Sequence, residues 1–206
     1  MAKGSSKKNW LARQQKDPYV KQAQQSHYRS RAVYKLIEID DKDHLLKQGQ
    51  TIIDLGAAPG SWSQYVSEKI GNKGRLIAID ILPMEPVENT LFIEGDFTEQ
   101  SVYEQCLQAM ENTRADLVIS DMAPNLSGIR AADQARSLYL AELSFDLAKS
   151  VLEQGGDMLV KVFEGEGTDK YRHDLKEHFE KIIVRKPKAS RDDSREYYVL
   201  AQGFRL

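Results

Sequence analysis

The stretch that most restricts the fold is Thr51–Trp62, TIIDLGAAPGSW. A short apolar run, Ile52-Ile53, leads into Asp54 and then into a loop carrying Gly56, Pro59 and Gly60. Ser61–Ile70 follows with amphipathic spacing. That order predicts a buried parallel strand, a sharp glycine turn and a helix whose free N–H groups face the turn. Glycine lets a ligand approach the backbone closely because no Cβ stands in the way.

Three ligand classes use such turns. A dinucleotide site takes G-x-G-x-x-G, but the glycines here stand as Gly56-x-x-x-Gly60 with Pro59 between them. A P-loop takes G-x-x-x-x-G-K-[ST], and no Lys follows Gly60. The third class is S-adenosylmethionine (SAM), which needs close backbone approach but no phosphate cradle. A second apparent strand, Arg75–Asp80, closes on an acid twenty residues beyond Gly60, about where a ribose-binding carboxylate sits. An isolated G-x-x-x-G can also merely join a strand to a helix. With Asp80 and Asp96 both closing apparent strands, SAM is favoured over that plain turn.

Length and composition suit one domain with a full core, or one domain plus a short arm: 206 residues, 41% of them apolar. No apolar run approaches the ~20 residues of a membrane span, and MAKGSSKKNW has no apolar signal region. Cys106 stands alone, which removes a disulfide framework or thiolate cluster. His173 and His178 are five apart, not the four that place two metal ligands on one helix face, so no metal is implied. A cytoplasmic protein is expected. No heptad or long exposed apolar run suggests a dimer, so a monomer is expected.

Net charge is −2, unevenly spread. Residues 1–35 hold nine Lys/Arg against Asp17 alone, and Lys181–Arg195 holds six against Asp192 and Asp193. Two basic segments on an acidic body suggest a localised polyanion-binding face. Residues 1–9 read as a solvated arm. In Trp10–Tyr34 the aromatics Trp10, Tyr19, Tyr28 and Tyr34 interleave the charges, as base stacking and phosphate contacts on RNA would use.

Residues 18–39 read as one helix, with Tyr28, Ala32, Leu36 and Ile39 roughly on one side. Strands are expected at Ile52–Leu55, Arg75–Asp80, Leu91–Glu94, Asp116–Asp121, Asp157–Phe163, Lys181–Arg185 and Tyr197–Gln202. Helices are expected near Ser61–Ile70, Glu99–Glu111, Asp133–Glu153 and Thr168–Glu180. The alternation predicts a mostly parallel, doubly wound α/β sheet in a single domain. The last two strands lack a helix between them, so one is expected to run antiparallel at or near the edge. Ligands gather at the carboxyl ends of such strands, where Gly56–Gly60, Asp80, Asp96, Asp121 and Glu164 fall.

Four residues remain to be explained. Asp121 closes an apolar strand. Lys161 lies inside the otherwise apolar MLVKVF, where an ammonium must be paired or point outward. Glu196 opens the last strand and Lys35 closes the first basic segment; each could equally form an ordinary surface ion pair. In order and context, Lys35, Asp121, Lys161 and Glu196 resemble the Lys-Asp-Lys-Glu tetrad of SAM-dependent RNA 2′-O-ribose methyltransferases. The flanking SRAVYKL, DLGAAPGSWSQYV, DMAPNLSG, VKVFEGEG and SREYYVLA closely resemble the FtsJ/RrmJ family of large-subunit ribosomal RNA methyltransferases, over roughly Trp10 to Gly203. The family reads Gly-Gly-Trp where this chain has Gly60-Ser61-Trp62, a change expected to be tolerated because position 61 opens the helix.

The resemblance implies a Rossmann-like class I SAM-dependent methyltransferase with seven strands, one of them antiparallel. It implies a basic RNA-contacting arm or helix over residues 1–34 and a methyltransferase domain over 35–206. The implied reaction is methylation of a ribose 2′-O, at a uridine, in 23S ribosomal RNA within the assembled large subunit. Transfer RNA, an mRNA cap and a non-catalytic assembly factor are the alternatives. Cofactor contacts are implied at Gly60, Trp62, Asp80, Asp96 and Asp121, with Trp62 closing over SAM. Lys161 is implied to act on the 2′ hydroxyl as proton acceptor or orienting group, Glu196 to hold Lys161, and Lys35 to position the ribose or its phosphate.

Overall fold

Alternating apolar residues along the strands divide the core into two halves, one on each face of the sheet. The structure, a computed structural model, describes residues 17–125, 127–191 and 194–205. The elements in chain order are α1 (Pro18–Gln25), α2 (Val33–Asp43), β1 (Thr51–Leu55), α3 (Ser61–Ile70), β2 (Arg75–Asp80), β3 (Thr90–Glu94) and α4 (Gln100–Ala109). Then come β4 (Ala115–Ser120), α5 (Arg130–Val151), β5 (Leu152–Phe163), α6 (Thr168–His178), β6 (Phe179–Arg185) and β7 (Glu196–Phe204).

The seven strands lie in the order β3-β2-β1-β4-β5-β7-β6. All pairings are parallel except those of β7, which runs antiparallel to both β5 and β6. The expected antiparallel strand is therefore β7, one in from the edge. Strand order reverses between β1 and β4, the switch point where an open α/β sheet leaves a crevice beyond its carboxyl ends.

One face buries Ile53, Ile77, Val118, Val160 and Val199 under α4, α5 and α6. The other buries Ile52, Leu76, Ile119, Leu159 and Leu200 under α2 and α3. Each such fully buried aliphatic side chain contributes roughly 1.5–3 kcal/mol relative to exposure. Lys161 continues the Leu159 side of β5, so its alternation directs it to the face that α2 covers.

Two expectations need correction. The helix expected over 18–39 is two helices. Asp17 caps α1, its side chain accepting from the Tyr19 amide at 3.0 Å, and the helix stops at Ser26 before His27 takes a positive φ of 61°. The intervening segment is drawn off by α3: Gln64 accepts from the Arg29 amide (3.0 Å) and donates to His27 O (3.2 Å), and the Trp62 indole donates to Ala32 O (2.8 Å). Tyr28, Ala32, Leu36 and Ile39 still meet in one core half, but from different elements. The helix expected to reach Glu153 ends at Val151, and β5 begins there, with Gly155 at φ 85° next to a register shift against β4.

Ala23, Val33 and Tyr34 are buried in the same core half as α3, and the division expected after residue 34 falls inside α2. The arm expected over residues 1–9, and Trp10, lie outside the described residues. Among the described residues no helix is long and apolar enough to cross a membrane.

Candidate active site

A cavity of about 460 Å³ opens at the switch point, lined by the loops that follow β1, β2, β3 and β4 and by the start of α5. Its size suits a small-molecule ligand. Gly56 forms part of the wall at φ 76°, and a Cβ there would come within 2.7 Å of Met122 Cγ. Glycine is needed at that point for packing as well as for backbone conformation.

Three expected carboxylates face the cavity. Asp80 accepts from the amides of Ala58 (2.9 Å) and Leu82 (2.9 Å), one from each adjoining loop. Asp96 accepts from the Thr98 amide (2.9 Å) and hydroxyl (2.7 Å). A carboxylate has about four lone-pair sites, so both retain acceptor capacity. Asp121 is the third. Apolar surface between them comes from Ile79, Leu82, Phe97 and Leu140. Hydroxyl acceptors, an apolar slot and an acid for a cation match the ribose, adenine and positively charged methionine end of SAM.

Asp121 also joins the cavity to the tetrad. Lys161 Nζ lies 3.0 Å from Asp121 Oδ1 and also donates to the Asp121 carbonyl. Lys35 Nζ lies 2.7 Å from Glu196 Oε1. Tyr198, opposite Lys161 in the β5–β7 ladder, donates its hydroxyl to the same Asp121 oxygen. Its ring lies 5.9 Å from Lys35 Nζ and 5.8 Å from the Trp62 ring. The lysine in the apolar strand is thus buried and paired, not solvated.

The charges act as one set. Burial pushes the Asp121 carboxyl up, but Lys161, Lys35 and the Tyr198 hydroxyl outweigh it and hold the group below the ordinary aspartate range. Glu196 is likewise pushed up by burial and brought below its usual range mainly by Lys35. Burial, with the Asp121 charge, raises Tyr198 well above a normal phenol, so it stays a donor.

Gly60 and Trp62 do not line the cavity. Trp62 is buried against Tyr198 with its indole nitrogen committed to Ala32 O. Gly60 is buried at the start of α3, at φ 103°. Glu164 also lies apart from the cavity; it accepts from the Thr168 hydroxyl and pairs with Arg172.

Sequence reasoning missed several residues. Glu196 and Tyr198 are two apart on one strand, which puts them on one face and was a usable signal. Asp54 is fully buried, accepts from the Ser63 hydroxyl at 2.7 Å, and is pushed up to about 7 by burial and the Asp121 and Asp80 charges against that hydrogen bond. Asp133 accepts from the Ser127 and Gly128 amides (2.8 and 3.0 Å), fastening the loop after β4 onto α5. Arg136 and Tyr139, one helical turn apart on α5, reach the cavity.

The two basic segments meet in space. Glu38 on α2 accepts from the amides of Lys188 (2.6 Å) and Ala189 (2.9 Å), and Arg31 donates to Ala189 O (2.7 Å). These bonds hold the loop between β6 and β7, with Lys188, Arg191 and Arg195 exposed, beside the helix that carries Lys35.

This sheet order, with its antiparallel strand beside the edge and a carboxylate-lined crevice at the switch point, is that of a Rossmann-like methyltransferase. Solved structures agree. A ribosomal RNA methyltransferase from Plasmodium falciparum superposes with a TM-score of 0.77 at 33% identity, over 86% of this chain and 98% of that one. A chain of a fibrillarin/Nop5p complex, at 18% identity and a TM-score of 0.57 over 84% of this chain and 83% of that one, shares the fold alone. The chain belongs to the FtsJ-like methyltransferase family, whose sequence model matches residues 28–204. It is 56% identical to the ribosomal RNA large subunit methyltransferase E of Pseudomonas aeruginosa, covering 100% of this chain and 99% of that protein. It is 53% identical to the protein of that name from Marinobacter nauticus, over 100% of both chains.

Proposed function

We propose that the protein methylates the 2′ hydroxyl of a ribose, at a uridine, in large-subunit ribosomal RNA, using SAM, in the cytoplasm, as a monomer acting on the assembled subunit. The observation that carries this reading is the pairing of the buried Lys35 and Lys161 with Glu196 and Asp121, the last of which lines the cavity. The names of the full-length relatives support the ribosomal substrate.

SAM supplies a methyl on a positively charged sulfur that an oxygen lone pair can take. Asp80 accepts from the cofactor's ribose hydroxyls, Asp96 and Phe97 hold its adenine, and Asp121 faces its positive end. Lys161 Nζ meets the substrate 2′ hydroxyl, taking its proton or orienting its lone pair. Proton acceptance needs a neutral amine, and a pH–rate profile of single turnovers reads that directly. Asp121, rather than the expected Glu196, holds the Lys161 head group, and Glu196 instead fixes Lys35. Lys35 positions the ribose, since positioning two reactants accounts for much of such a rate. The basic loop beside α2 meets the RNA backbone, so binding weakens with salt.

The test offers methyl-labelled SAM to three acceptors in parallel: large subunits from cells lacking the modification, protein-free large-subunit RNA, and transfer RNA. Alkaline hydrolysis follows, because a 2′-O-methyl blocks cleavage at its linkage. The expected result is label in an alkali-stable dinucleotide from the subunits. Label in an alkali-labile nucleotide would show a base target, and label in transfer RNA alone would show a different substrate.

A further inference from the structure

Arg29 lies in the first basic segment, where an arginine is ordinarily read as a phosphate contact. Its guanidinium is engaged with the protein instead. Nη1 donates to Pro59 O (3.1 Å) and Glu85 O (2.7 Å), and Nη2 donates to Pro86 O (2.8 Å). Pro59 belongs to the loop after β1, and Glu85 and Pro86 to the loop after β2. Those two loops form one end of the cavity through Gly56 and Ala58 on one side and Ile81 and Leu82 on the other. A planar fork of donors suits this bridge between two runs of backbone carbonyls.

From inside the cavity Asp80 bridges the same two loops, accepting from the Ala58 and Leu82 amides. The wall is therefore held twice, by a carboxylate facing the ligand and by a guanidinium behind it. Packing at Gly60 shows how close the outer bridge lies. A Cβ there would sit 2.5 Å from Arg29 Nη1 and 2.8 Å from Met84 Sδ. Gly60 does not line the cavity, and its missing side chain is the space that the guanidinium and Met84 fill.

We infer that Arg29 is a positioning residue for the cofactor pocket, latching the two loops that wall it without touching the ligand. The inference rests on the reading that this cavity takes SAM. It separates Arg29 from Arg31, two residues on, which reaches the loop between β6 and β7. One short segment therefore braces the cofactor wall with one arginine and the basic loop with the next.

The test is SAM binding by isothermal titration without RNA, on the full chain, for the native protein, Arg29→Lys, Arg29→Ala and Lys188→Ala. Arg29→Ala is expected to weaken SAM binding about tenfold, and to raise KM for SAM while kcat and KM for RNA stay within about twofold. Arg29→Lys, with a single nitrogen for three acceptors, should fall between; Lys188→Ala should change only KM for RNA. Hydrogen exchange at the Ile81, Leu82, Met84 and Glu85 amides should quicken in Arg29→Lys, a readout that stands even if Arg29→Ala folds poorly. Native SAM affinity in both Arg29 variants, or a rise in KM for RNA alone, would overturn the latch and leave the pocket assignment standing. Absence of SAM binding by the native protein would overturn both.

Discussion

Lys161 and Tyr198 face each other across the β5–β7 ladder, and both end on one oxygen, Asp121 Oδ1. Two donors from neighbouring antiparallel strands thus converge on an acid delivered by a third strand, β4. Asp121 lines the cavity, so the bonds that fix the lysine also fix the wall that the cofactor meets. Tyr198 further stands between the Trp62 ring and the Lys35 ammonium. It is the common neighbour of the elements the tetrad depends on.

Tyr198→Phe keeps the ring and removes one donor from Asp121. A hydrogen bond to a charged group contributes about 1.5–3 kcal/mol, so unfolding by urea should show a loss in that range. The carboxylate and Lys161 lose a fixed geometry, and kcat should fall about tenfold with SAM affinity within about twofold. Unchanged kcat would remove the tyrosine from the positioning of Lys161.

Trp62→Phe tests whether the indole serves the cofactor or the core. The indole donates to Ala32 O and packs on Tyr198, so the variant should lose roughly 1–3 kcal/mol of stability. SAM affinity measured without RNA should stay within about twofold. A tenfold loss of affinity at native stability would return Trp62 to the cofactor site.

Asp54 predicts a pH effect with a definite sign. Burial pushes its carboxyl up to about 7 against the help of Ser63. The folded state then holds a proton that the unfolded chain has already released, so stability falls as pH rises from the ordinary aspartate range to about 7. Above that the full penalty is present. Asp54→Asn keeps an acceptor for Ser63 and removes the penalty. Its stability relative to native should therefore improve between pH 5 and pH 8, by up to about 2.5 kcal/mol, because part of the penalty is already present at pH 5. Ligand-free urea unfolding at both pH values checks this; parallel curves would show that Asp54 ionises at no such cost. Glu196 is the same in both proteins and drops out of the difference, whereas Asp121 and Asp80, whose charges help raise Asp54, are part of the penalty that the substitution relieves.

How much could be read in advance depended on whether the cause was local. Gly56, Pro59 and Gly60 announced a strand, turn and helix because backbone freedom is a property of the residues themselves. The missing helix before Tyr197 announced the antiparallel strand. The break at Ser26–Ala32 was not legible, because its cause is Gln64 and Trp62 on a helix some thirty residues away. Nor could MLVKVF alone say whether Lys161 was buried; that needs Asp121, forty positions back on another strand. Gly60 was legible as a special position, but the reason, an arginine and a methionine against its Cα, was not.

Single-turnover methyl transfer to undermethylated large subunits, with SAM affinity measured on the same samples, compares native protein with Lys161→Ala and Lys161→Arg most directly. Removing one member of a buried pair costs about 3–5 kcal/mol of stability, so the comparison is made where all three remain folded. The Lys161→Arg variant keeps a cation for Asp121, but a guanidinium cannot lose its proton at working pH. The expected rate is at least about a hundredfold below native in both variants, with SAM affinity within a few-fold. A near-native rate in the alanine variant would contradict it, and the 2′ hydroxyl would have to be handled by another group.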